Sequence, residues 1–151
     1  MKPNFELLRD AFAILDGIPE HVFNLDAWTV QQGESLSCGT IACAGGWLAR
    51  HPKFAELGLG ISRGGDVCLR TDANESSFGA LSKIFSLRGD EDEIFMPSGA
   101  GYSDRELSFE VRQAMTDKQL WKRRVLRLFQ EYDEPFDPKV AEGLHLDARR
   151  Q

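Results

Sequence analysis

The sequence predicts an all-α fold: a single compact helical domain over residues 1–151, with about five to six helices and room for one small β-hairpin. Two observations carry this reading. Nearly every segment spaces its apolar residues at the helical period, and nearly every segment is bounded by a helix-start box or by a glycine or proline stop. Size agrees, because 151 residues, 42% of them hydrophobic and 28% charged, suit one packed core better than a disordered or fibrous chain.

The first helix is read from NFELLRDAFAILDG, where Phe5, Leu8, Phe12 and Leu15 share one face and Gly17 stops the run. Pro19 then opens a short turn whose Val22, Phe23, Leu25 and Trp28 can pack inward. A second helix is expected from about Thr40 to Arg50, ending before Pro52 because a residue that precedes proline avoids the helical region. Pro52 suits the first turn of a short helix, PKFAEL, ended by Gly58. GLGISRGGDVCLRTD lacks the helical period and reads as a loop with at most a small hairpin at Val67–Leu69.

Four capping boxes mark the second half. Asp72 with Glu75 predicts a helix through ANESSFGALSKIFSL, with Phe78, Leu81 and Phe85 inward and Gly89 as its stop. Asp90 with Glu93 opens a single turn closed by Pro97, and SGAGYS reads as a flexible connection. Ser103 with Glu106 opens DRELSFEVRQAM, and Thr116 with Gln119 opens the last long helix, whose buried stripe is Trp121, Val125, Leu128 and Tyr132. Residues 135–151 are expected to form a partly ordered tail with one helical turn after Pro138.

The charge excludes some classes and leaves others open. A net charge of −6 disfavours non-specific attraction to nucleic acid or to an anionic membrane, and no run approaches the roughly 20 apolar residues of a membrane helix. The opening MKPNFELLRD has no apolar signal region, and three cysteines without a disulfide framework predict a reducing, cytosolic location with free thiols.

Chemistry concentrates in SCGTIACAGGWLA, residues 37–49. Trp28, Cys38, Gly39, Thr40, Cys43, Gly46 and Trp47, then His51-Pro52 and Leu57-Gly58-Leu59, resemble the signature of a largely uncharacterised group of short bacterial, prophage and phage proteins. That signature is a tryptophan followed by C-G-T-x-x-C-x-x-G-W at a helix start. The resemblance covers roughly residues 20 to 132 and departs from the group at Ala44-Gly45, where larger apolar residues are usual. It implies a small helical domain of cellular or phage origin and implies no activity.

Three uses of the motif stay open. A thiolate at Cys38, just before a helix start, could act with His51, His21 or His145 as base in a cysteine hydrolase or transferase. Cys38, Cys43, His51 and Cys68 supply zinc-type ligands, but their spacing, C-x4-C-x7-H-x16-C, is irregular, and no metal or other cofactor is assigned. Packing accounts for more of the residues: on a helix Ala42, Gly46 and Ala49 lie along one face, with Cys43 and Gly45 beside it, so that a neighbouring helix can approach closely, and Trp47 and Leu48 anchor the segment.

Three surfaces are candidates for contact with other molecules. They are the loop containing Arg63 and Asp66, the acidic turn with Asp90, Glu91 and Asp92, and the basic final helix with Lys118, Lys122, Arg123 and Arg127. The basic helix could meet phosphates, which makes nucleic-acid binding an alternative, although no groove-reading motif or aromatic platform accompanies it. The sequence favours a non-enzymatic accessory protein, of phage or prophage origin by the resemblance, that binds a host or defence-system protein.

Overall fold

The computed structural model of the chain describes residues 2–25, 43–61, 67–70, 72–96 and 102–146. Helix α1 (Phe5–Asp16) starts where Asn4 accepts the Leu7 N–H at 3.0 Å, and it buries Phe5, Leu8, Ala11 and Leu15. After a 3₁₀ turn at Glu20–Val22 and the break in the described chain, α2 (Ala44–Arg50) and α3 (Pro52–Glu56) lead into strand β1 (Leu59–Ile61). Strand β2 (Val67–Leu69) pairs antiparallel with β1, and strand β3 (Asp72–Ser76) pairs antiparallel with β2. Helix α4 (Ser77–Phe85), 3₁₀ segments Gly89–Phe95 and Tyr102–Glu106, α5 (Phe109–Ala114), α6 (Asp117–Glu131) and a last 3₁₀ turn, Pro138–Ala141, complete the order. The fold is mostly helical with one small antiparallel sheet.

One row of aromatic rings threads the core. Phe54 lies 5.6 Å from Phe85, Phe85 5.6 Å from Phe95, and Phe95 6.4 Å from Trp121, which Phe12 meets from the other side at 6.1 Å. These five rings join α3, α4, the 89–95 segment, α6 and α1, so their burial couples elements far apart in sequence. Trp121, Val125 and Leu128 occupy the inner stripe of α6, and Thr116 and Gln119 form the reciprocal box at its start.

Outside the motif region the structure differs from the sequence reading at four places. Residues 72–76 form β3 instead of a helical first turn, and α4 starts at Ser77. Polar residues such as Asp72 and Asn74 favour neither state strongly, so pairing with β2, whose Val67 and Leu69 are buried, decides the outcome. Helix α4 ends at Phe85, four residues before Gly89, because Ser86 turns left-handed with φ 56°. In the acidic turn the capping carboxylate is Glu91, which accepts the Arg88 N–H at 2.8 Å; Asp90 and Glu93 do not form the box.

The segment opened by Ser103 splits. A 3₁₀ stretch ends at Glu106, and Ser108 caps α5 by accepting the Val111 N–H at 3.2 Å. The tail has its turn after Pro138, at Pro138–Ala141, as expected; Leu144 is buried and Phe136 meets Phe129 edge-on at 6.2 Å.

Candidate functional site

The motif region places its described residues in structural roles. Helix α2 begins at Ala44, not near Thr40, because Cys43 is extended, with φ −79° and ψ 179°. Gly45 and Gly46 therefore sit in the first helical turn, where their N–H groups have no intrahelical partner in any case. Both are buried, and α2 packs against α1, α3 and the sheet. Trp47 donates its indole N–H to the Val22 carbonyl at 2.9 Å, tying the 3₁₀ turn at Glu20–Val22 to α2.

Cys43 thus occupies the pre-helix position expected for Cys38. Burial pushes its thiol up to about 11, against the opposing pull of the Gly46 and Gly45 amides, so it is a protonated core residue at neutral pH. His51 is the N-cap of α3: its Nδ1 accepts the Lys53 N–H at 3.2 Å, which fixes one ring nitrogen in a structural bond. Among the described residues no group of three or more His, Cys, Asp or Glu is arranged to hold a metal ion. Trp28, Cys38, Gly39, Thr40, Arg63 and Asp66 lie outside the described residues.

The basic helix engages its cations within the chain. Arg124 is 1% exposed, and its fork grips Asp104 at 3.0 and 2.6 Å, both side chains being fully buried. Its remaining nitrogen, Nη1, donates to the carbonyls of Met96 at 2.7 Å and Glu93 at 3.2 Å. Arg123, 3% exposed, reaches the Ser103 carbonyl at 3.2 Å and Glu106 at 3.0 Å. Arg127 also binds Glu106; burial works against that carboxylate, but Arg127 and Arg123 hold it below its ordinary range.

The two lysines are engaged as well. Lys118 donates to the carbonyls of Asp16 at 2.6 Å and Ile18 at 2.8 Å, closing the C-terminal end of α1. Lys122 pairs with Asp16 at 2.7 Å and lies 5.2 Å from the centre of the Phe12 ring. All five cations of α6 fasten this chain to itself.

The carboxylates beside them are not matched in the same way. A cleft of about 220 Å³ lies between the 89–95 segment and α6, lined by acidic residues Asp90, Glu91, Glu93 and Glu131 over Ile94 and Leu128, with Arg124 and Arg127 at one side. Among the described residues no Lys or Arg is ion-paired with Asp90, Glu91, Asp92 or Glu93. Glu93 accepts the Ser103 N–H through Oε1 at 3.0 Å, while its buried Oε2 has no hydrogen-bond partner among the described residues. Burial, together with Asp90 and Glu93, raises the Asp92 carboxyl above its ordinary range. Burial first, then Glu93, Glu106 and Glu91, raises Glu131 despite its pairing with Arg127 at 3.3 Å. Tyr132 donates its hydroxyl to Glu91, which holds the phenol above its usual value.

Asp104, Glu93, Glu131 and Tyr132 were not singled out from sequence as site residues. One signal was available for the first: Arg124 falls on the same stripe as Trp121, Val125 and Leu128, so the helical period puts a charge in the core and demands a buried carboxylate. No known protein family, curated protein or solved structure matches the chain. No helix among the described residues is long and apolar enough to cross a membrane.

Proposed function

We propose that this is a small non-enzymatic accessory protein that binds another protein, and that the partner presents a basic segment. The observation that carries this reading is the contrast of charges around α6: its cations are engaged inside the chain, while among the described residues Asp90, Glu91, Asp92 and Glu93 of the acidic turn have no ion-paired Lys or Arg, and Asp90 and Glu93 oppose the charge on Asp92. A protein surface of this sign attracts Lys- or Arg-bearing partners and discourages phosphate backbones. His51 serves as a cap of α3 and Cys43 is a buried thiol, while Cys38, on which the cysteine-dependent alternative rests, lies outside the described residues. The resemblance to phage and prophage proteins makes a host or defence-system protein the partner class to examine first.

The test is affinity capture from bacterial lysate with the wild-type chain and with a D90K/D92K/E131K variant whose helical circular dichroism matches wild type. The reading expects a captured protein with a basic contact segment, released by rising salt and lost in the variant. A partner held equally by both chains, or release of bound nucleic acid instead of protein, would overturn it.

A further inference from the structure

We draw no further inference here: the strongest candidate, the apolar groove of about 320 Å³ between α5 and residues 143–145, lined by Val111, Ala114 and Met115, is an unpartnered face, and nothing in the structure shows what covers it.

Discussion

The two flanks of the last long helix carry opposite charges and meet opposite fates. On one flank Arg123, Arg124 and Arg127 point into the chain and meet Asp104, Glu106 and the backbone carbonyls of the 89–95 segment. On the other, Asp90, Glu91, Glu93 and Glu131 line one cleft, Asp92 feels Asp90 and Glu93, and both Asp92 and Glu131 are harder to ionise than usual. Charge density alone would rank the basic flank as the contact surface. Burial reverses that ranking, because a cation already desolvated and hydrogen-bonded offers nothing to a partner, whereas uncompensated surface charge does.

The sharpest way to break the comparison is Arg124→Met. It leaves Asp104 as a buried charge without a counterion and strips donors from two carbonyls, so stability should fall by about 3–5 kcal/mol, read from urea denaturation. Adding Asp104→Leu should recover part of the loss, with the carbonyls accounting for the remainder. A single variant within about 0.5 kcal/mol of wild type would mean the pair is not closed to water. Lys122→Ala, at the partly exposed end of the same helix, should cost no more than about 1 kcal/mol, since Asp16 is 56% exposed and already hydrated.

Asp92→Asn should run the other way. Removing a charge that burial and its neighbours disfavour should leave stability at pH 7 equal or slightly higher, within about 0.5 kcal/mol, by the same denaturation assay.

The pH profile sharpens the contrast further. Asp92 and Glu131 titrate above their unfolded values, so the destabilisation they cause is present at neutral pH and is relieved as pH falls through those raised values. Asp16, held down by its hydrogen bond to Lys122, and Glu106, held down by Arg127 and Arg123 against burial, behave oppositely. Their stabilisation is present above the unfolded carboxylate range and is lost as pH falls through their lowered values. Thermal midpoints should therefore hold steady or rise as pH falls through the raised values of Asp92 and Glu131, and then drop as it falls through the lowered values of Asp16 and Glu106. In the Asp92→Asn variant the early gain should shrink. A wild-type midpoint that falls throughout the carboxylate range, with no difference from Asp92→Asn, would contradict the assignment of repulsion to the acidic turn.

Much of the fold could be read from periodicity and caps. The stripe of α1, the Thr116–Gln119 box, the Pro52 start of α3 and the buried face of α6 each rest on local chemistry that the chain carries within a turn or two. What failed was decided at long range. Asp72–Ser76 becomes a strand because β2 is there to pair with it, and the same residues followed by α4 read locally as a cap. The motif gave the right role to Trp47 and the small residues, but it placed the helix start too early: the bond from Trp47 N–H to the Cys43 carbonyl closes the first turn, and nothing local distinguishes it from one begun at Thr40.

The site followed the same division. Five cations on one helix were visible in the sequence, but whether they faced water or Asp104 and Glu106 depended on how the 102–106 segment folds back across α6. The period of the helix already held the answer for Arg124, which shares its stripe with Trp121, Val125 and Leu128.

The measurement that bears most directly on the charge contrast is an amide-shift titration of the isotope-labelled protein with an arginine-rich peptide and, separately, with a short duplex DNA. The peptide should shift resonances of residues 89–95 and 128–132, with an affinity that weakens as salt rises, and the DNA should leave α6 unmoved. Shifts along Lys118 to Arg127 on adding DNA, with a peptide that moves nothing in the acidic turn, would contradict it.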